Sequence, residues 1–185
     1  HSKGAVRKRV VVLNRAKTLR SDAGPSVRVV EDGVDAVRDC LKAYADRGVF
    51  RGYTERPGRL GRILFRFSWL ARHPYELQYE PRTGTFVFLN ALPNMPARTP
   101  LARALKTFVK DRSAESLPEH RRIDPARASV SAFVRRGEMR LKVVARRGHH
   151  AYAANRVVNL MHEVFLHLSS YYPEYLWENY DASQD

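Results

Sequence analysis

The last third of the chain carries its longest helical pattern. Between residues 151 and 168, apolar side chains recur three and four positions apart, which is the spacing of one helix face. They are Ala154, Val157, Val158, Met161, Phe165 and Leu168. The opposite stripe is polar, and Leu160, Val164 and Leu166 widen the apolar side. The pattern therefore predicts a long, mostly buried C-terminal helix on which the other elements pack.

Two shorter helices are predicted earlier in the chain. The first has its apolar face over residues 34–44 and ends near Gly48, because glycine is the usual residue just past a helix end. A short strand over residues 27–30 is expected in front of it. The second begins at Thr99 and Pro100, since threonine is a favoured N-cap and proline a favoured first helical residue.

Alternating apolar and polar positions predict strands between these helices. The segments with this alternation are 62–69, 75–80, 85–89, 129–134 and 139–144, and a further short strand over 49–53 remains open. Turn residues at 81–84 and 135–138 predict hairpins, so neighbouring strands should run antiparallel. The expected fold is a two-layer α+β domain, with a mainly antiparallel sheet of about five strands packed on three helices.

The formal net charge of +14 is unevenly distributed along the 185 residues. Residues 1–30 carry eight basic residues and one acidic residue, and residues 121–147 carry nine and two. No lysine or arginine follows Arg156, whereas five acidic residues do. We therefore expect a flexible basic arm over residues 1–26 and a single domain over residues 27–185 that ends in an aromatic, acidic segment.

The candidate binding residues come from the basic segments and from the aromatic C-terminus. They are Arg7, Lys8, Arg9, Arg121, Arg122, Arg135, Arg136, Arg140, Lys142, Tyr175 and Trp177. Clustered arginines favour an acidic partner, and tyrosine and tryptophan dominate the hot spots of protein interfaces. The alternative for the aromatic residues is that they pack back over the domain's own core.

The segment 117–125 has the densest mixture of opposite charges, and its candidate catalytic residues are Glu119, His120 and Asp124. Sites tend to lie on loops that a rigid scaffold positions, which favours function here. The alternative is that Arg121 and Arg122 simply pair with the neighbouring carboxylates.

Motifs for metals and cofactors are not found in the sequence. His162 and His167 flank a glutamate, but they are five positions apart, whereas two zinc ligands on one helix face are four apart. No glycine-rich phosphate loop and no G-x-S-x-G elbow occurs. We therefore expect no metal and no cofactor.

The expected order of elements is a helix, two or three strands, a helix, a two-strand hairpin and the long helix. This order resembles the type III secretion chaperone-like fold, over about residues 31–170. The resemblance rests on element order alone. It implies a small dimeric binding protein without catalytic activity.

Three functions are carried forward from the sequence. The leading hypothesis is a non-enzymatic binding or adaptor protein whose basic surfaces and aromatic C-terminus engage an acidic protein partner or, as a homodimer, a second copy. The first alternative is a nucleic-acid-binding protein with non-specific, salt-dependent phosphate contacts. The second alternative is an enzyme with its site around residues 119–124.

The cellular location is predicted from two features of the sequence. The single cysteine, Cys40, is typical of a reducing compartment. No apolar run approaches the roughly 20 residues that a membrane-spanning helix needs. No secretory signal is recognised, and the expected location is the cytoplasm.

Overall fold

A six-stranded antiparallel sheet forms the centre of the computed structural model, which describes residues 25–180 and, for side chains, the residues from Gly33 onward. The strands are β1 (Arg51–Pro57), β2 (Ile63–Ser68), β3 (Tyr75–Glu80), β4 (Thr85–Leu92), β5 (Ala128–Arg135) and β6 (Glu138–Ala145). They lie in the order β1-β2-β3-β4-β6-β5, so β1 and β5 form the two edges.

Four helices accompany the sheet in the described residues. They are α1 (Pro25–Asp46), α2 (Pro100–Lys110), α3 (His150–Tyr171) and α4 (Pro173–Tyr180), with short 3-10 turns at Arg59–Gly61 and Asp111–Ser113. The predicted α+β class and the long C-terminal helix are confirmed. The predicted number of about five strands is corrected to six. The segment left open over 49–53 lies at β1, an edge strand whose mostly exposed side chains give no alternating pattern.

The first helix begins earlier than the sequence pattern indicated. It starts at Pro25, so the strand predicted over 27–30 is wrong. Proline is tolerated in the first turn of a helix, and the strand preference of the following valines is only a weak bias that the helix overrides. Its end is as predicted, since Gly48 takes the left-handed conformation with φ +76 and the Val49 N–H donates to the Tyr44 carbonyl at 2.9 Å.

The core lies between one face of the sheet and the helices. Large side chains at alternate positions of β2, β3, β4 and β6 are fully or almost fully buried. They are Phe65, Phe67, Tyr75, Leu77, Tyr79, Phe86, Phe88, Met139, Leu141 and Val143. Val37 and Leu41 of α1 are also fully buried. The strand alternation read from the sequence therefore marks the buried face correctly.

Helix α3 is buried along the predicted stripe. Its buried residues are Ala153, Ala154, Val157, Val158, Leu160, Met161, Val164 and Leu168. Leu166, which was expected to widen this face, is instead 50% exposed. A side chain one position after Phe165 is rotated by about 100° around the helix, which carries Leu166 away from the sheet.

The β5–β6 hairpin closes through a two-residue turn. Arg136 (φ +54) and Gly137 (φ +75) both take positive φ, which is the requirement of the type I′ turn that suits the twist of a hairpin. Arg135 and Glu138 face each other as the last strand pair. This predicted hairpin is confirmed.

The short helix α4 packs its aromatic side chains onto the domain. Tyr175 and Tyr180 are buried, and their hydroxyl groups donate to the carbonyls of Pro93 and Ala91. Trp177, on the outer side of the helix, is 44% exposed. The aromatic C-terminal segment is thus divided between core packing and surface.

None of the helices in the described residues has both the length and the hydropathy of a membrane span.

The hydroxyl of Tyr180 should contribute measurably to the attachment of α4. In Tyr180→Phe the buried carbonyl of Ala91 loses its donor, so we expect the free energy of unfolding to fall by about 1–2 kcal/mol. The measurement is equilibrium urea unfolding. The matched control is Tyr171→Phe, at a tyrosine that is 71% exposed, for which we expect a change within about 0.5 kcal/mol. Equal values for the two variants would contradict this role of the hydroxyl.

Candidate functional site

The loop between α2 and β5 is held in place by side chains from other elements. Ile123 is buried at 3% exposure and anchors the loop in the core. The backbone N–H of Asp124 donates to the hydroxyl of Tyr152, on α3, at 2.9 Å. Nε of Arg146, after β6, donates to the carbonyl of Pro125 at 2.7 Å. The loop is therefore fixed against the start of α3 and the end of β6.

Six arginines that contact this loop or belong to it form what we call the arginine cluster. They are Arg112, Arg121, Arg122, Arg127, Arg146 and Arg156. Two of them flank one aromatic ring, because the guanidinium carbons of Arg127 and Arg156 lie 5.2 and 5.0 Å from the ring centroid of Tyr152. At these distances the ring attracts both cations, which offsets part of their mutual repulsion.

Glu163 of α3 is the carboxylate at the centre of the cluster. Arg121 binds it with two hydrogen bonds, Nε to Oε1 at 2.9 Å and Nη2 to Oε2 at 2.8 Å, and Arg112 Nη1 approaches Oε2 at 3.4 Å. The pKa of Glu163 lies below its usual value, mainly because its carboxylate is hydrogen-bonded to Arg121. Burial lowers the pKa of Arg112, whose side chain is only 12% exposed. Glu163 therefore stays ionised at neutral pH as the internal counterion of two arginines.

Two shallow cavities flank the loop, and Arg156 lines both of them. The first, here the Glu163 cavity, has a volume of about 200 Å³ and is lined by Arg112, Arg121, Arg156 and Glu163, with Ile123 and Leu160 as apolar lining. The second, here the Tyr152 cavity, has a volume of about 220 Å³ and is lined by Arg122, Arg127, Arg156, Glu119, Asp124 and Tyr152. The cluster thus surrounds two concave spaces.

Positive charge exceeds negative charge around these cavities. Arg122 and Arg156 form no ion pair with any carboxylate among the described residues, and their recorded hydrogen bonds go to backbone carbonyls, those of Ser113 at 3.3 Å and His120 at 2.6 Å. Nε of Arg156 is shielded from solvent and has no hydrogen-bond partner. Against the five arginines that line the two cavities stand three carboxylates, Glu119, Asp124 and Glu163. This excess makes the surface suited to an anionic group.

The three candidate catalytic residues do not share one cavity. His120 lines the Glu163 cavity, whereas Glu119 and Asp124 line the Tyr152 cavity. Asp124 is also engaged structurally, since Oδ1 accepts from the N–H of Ala126 at 2.9 Å and Oδ2 lies 3.5 Å from Nε of Arg127. The arrangement around a single concave site that the enzyme hypothesis requires is not formed by these residues.

The candidate binding residues separate into distinct places. Arg121 and Arg122 belong to the arginine cluster, whereas Arg135 and Arg136 lie at the opposite end of β5. The eight residues from Ala128 to Arg135 make seven steps along β5, which correspond to about 23 Å at about 3.3 Å per residue. The partly exposed side chains of Arg140 and Lys142 lie between these ends, on β6. Arg7, Lys8 and Arg9 fall outside the described residues.

The hairpin turn and helix α4 lie at the same end of the domain. The N–H of Met95 donates to the carbonyl of Gly137 at 2.6 Å, and the neighbouring Asn94 donates to Asn179 at 2.8 Å. Exposed Trp177 is therefore on the helix that lies near the basic turn. Tyr175, the other aromatic candidate, is buried and its hydroxyl is already bonded, so it contributes to packing.

Sequence reasoning missed four residues that organise the cluster. They are Arg112, Tyr152, Arg156 and Glu163. Arg156 and Glu163 were recognised only as part of the polar stripe of the long helix. They are seven positions apart, which is about two helical turns and places them on one face. That spacing, together with the charged loop, is the sequence signal that could have indicated the arginine cluster.

His162 and His167 of α3 have separate surroundings. His162 lies 6.0 Å from Trp69, and His167 stacks on Phe108 with ring centroids 4.1 Å apart. Among the described residues, no group of three or more His, Cys, Asp or Glu side chains is arranged to hold a metal ion.

Comparison with protein-family models, with curated proteins and with solved structures finds no match. The resemblance to the type III secretion chaperone-like fold stays a prediction.

Glu163 should make stability depend on pH in the acidic range. Because its folded pKa is lowered, its contribution is complete above the unfolded-state value of about 4.3 and is lost as the pH falls through the folded pKa. In Glu163→Gln we expect a melting temperature about 2–4 °C lower at pH 7, and a difference from the wild type that shrinks towards pH 3. Calorimetry from pH 3 to 7 measures this.

The matched control is Glu178→Gln, at an exposed glutamate of α4. We expect its melting temperature to follow that of the wild type across the range. A constant offset between Glu163→Gln and the wild type at every pH would mean that the ion pair with Arg121 contributes nothing.

Proposed function

We propose that this protein is a non-enzymatic binding or adaptor protein that holds an acidic protein partner at the arginine cluster. The observation that carries the proposal is the excess of guanidinium groups over carboxylates, above all at Arg122 and Arg156, which have no ion pair among the described residues. Such groups form strong charge-assisted hydrogen bonds with an incoming carboxylate. The fixed loop holds them in position before a partner arrives.

The shape of the surface supports a protein partner. The cavities, of about 200 and 220 Å³, are large enough to admit an acidic side chain between arginines. A guanidinium matches a carboxylate through two parallel hydrogen bonds, and Glu163 with Arg121 displays this geometry inside the cluster. An Asp or Glu side chain of the partner would accept hydrogen bonds from the Nη groups of Arg122 or Arg156.

The surroundings of Tyr152 favour a protein over a nucleic acid. Proteins that bind single strands stack bases on open aromatic rings. The Tyr152 ring has guanidinium groups of Arg127 and Arg156 near it, and its hydroxyl accepts a hydrogen bond from the loop backbone. This ring is therefore occupied by the cluster itself. Nucleic acid is retained as an outcome of the test.

The test uses a fluorescein-labelled decaglutamate peptide and anisotropy at 50 and 300 mM salt. We expect the full chain to bind at 50 mM with an affinity that falls at least about tenfold at 300 mM, because exposed charges are screened. The double variant Arg122→Gln with Arg127→Gln should bind about tenfold more weakly at 50 mM, because it removes two of the three guanidinium groups that line the Tyr152 cavity.

The matched control is Arg51→Gln with Arg66→Gln, which removes the same charge from exposed positions on β1 and β2. We expect less than about a twofold change in this control, because β3 and β4 separate β1 and β2 from β6 and β5 in the sheet. Equal losses in the two double variants would reduce the binding to net charge and contradict a site at the cluster. Binding of a 20-nucleotide DNA or RNA strand at least tenfold tighter than the peptide would favour the nucleic-acid alternative.

A further inference from the structure

We infer that the Glu163 cavity is a binding site for a small dianionic tetrahedral oxyanion, namely inorganic phosphate or the phosphate group of a small monoester. This goes beyond the proposed function, because it needs no macromolecular partner and concerns one of the two cavities.

The charge inside the cavity matches a dianion. Three guanidinium groups, those of Arg112, Arg121 and Arg156, line it together with the single carboxylate of Glu163. The excess of two positive charges equals the charge of a phosphate group near neutral pH, which is about −1.5 to −2. A monoanionic carboxylate would leave one of these charges without a counterion.

The donors are available in an arrangement that suits oxygen atoms. Nη1 of Arg156 donates to the carbonyl of His120, while Nε has no partner and is shielded from solvent. A buried donor without a partner is unfavourable, so an adjustment of the side chain that gives it an oxyanion acceptor is favoured. Arg121 is 47% exposed and binds Glu163 through Nε and Nη2, which leaves Nη1 to donate to a ligand.

The apolar lining strengthens attraction in the cavity. Ile123 and Leu160 are buried at 3% and 2% exposure and line the same space. Apolar walls exclude water from one side and lower the local dielectric constant, so each guanidinium attracts an anion more strongly than it does at an open surface.

Glu163 acts in this site as an internal competitor. Its carboxylate occupies the donors of Arg121 and approaches Arg112, the same groups that a phosphate oxygen would take. Removing the charge of Glu163 should therefore strengthen phosphate binding, whereas removing Arg156 should weaken it. A glutamine at position 163 can still accept from Arg121, which keeps the loop in place while the repulsion of the ligand disappears.

The experiment is titration calorimetry of the full chain with sodium phosphate at pH 7.5 and low ionic strength, followed by sulfate, acetate and glycerol 2-phosphate. We expect saturable binding of phosphate, competition by sulfate, and at least about fivefold weaker binding of acetate, because acetate carries one charge less. Arg156→Gln should weaken phosphate binding about tenfold, and Glu163→Gln should strengthen it about threefold or more.

The control is Arg66→Gln, at an exposed arginine on β2, which should leave the affinity within about twofold of the wild type. Opposite shifts in Arg156→Gln and Glu163→Gln cannot come from loss of folding, since that would weaken binding in both variants. Absence of saturation at 50 mM phosphate in the wild type, or equal affinity in all variants, would overturn the inference.

The source of the phosphate group follows from the same titrations. Tighter binding of glycerol 2-phosphate than of inorganic phosphate assigns the site to organic monoesters, and the reverse order assigns it to the free ion. The two proposals also fail separately. The peptide experiment reports on Arg122 and Arg127 in the Tyr152 cavity, whereas the phosphate experiment reports on Glu163, which lines only the other cavity.

Discussion

The packing of α3 on the sheet is the constraint on which the rest of the structure depends. Eight of its residues are buried, and it contacts the central strands β4 and β6. Once its apolar stripe faces the sheet, the rotation of the helix is fixed, and its polar stripe must face the loop that precedes β5. Tyr152, Arg156 and Glu163 reach the loop for this reason. The core therefore determines where the arginine cluster forms.

A cluster of six arginines is electrostatically costly, and its persistence depends on specific partners. Glu163 forms ion pairs with Arg121 and Arg112, and Tyr152 attracts Arg127 and Arg156 through its ring. Backbone carbonyls of the loop accept hydrogen bonds from other arginines of the cluster. These contacts leave the positive charge reduced but not cancelled, which distinguishes the cluster from a closed network of ion pairs.

The comparison of sequence with structure shows where pattern reasoning succeeds. The alternation in β2, β3 and β6 and the N-cap at Thr99 were predictable because each reflects local geometry with a fixed period or a fixed hydrogen bond. The start of α1 at Pro25 was not predictable in this way, because the valines that follow have a preference for strands, which the helical context overrides. The grouping of Arg112 and Tyr152 with the loop was also hidden, since it joins residues 40 positions apart through tertiary packing. Charge density identified the loop, but only the fold shows which side chains surround it.

The β5–β6 hairpin sets a fixed distance between the arginine cluster and the basic turn. It joins the arginine cluster at one end to the basic turn and the neighbouring helix α4 at the other, about 23 Å apart at about 3.3 Å per residue. A single extended ligand that touches both ends must therefore be at least seven residues long. Engagement of the first end raises the effective concentration of the ligand at the second, so avidity would depend on the spacing of acidic groups along the ligand and not on their number alone. Because a paired strand is rigid, this distance would be constant, and a ligand whose acidic groups match it would bind more tightly than one whose groups do not.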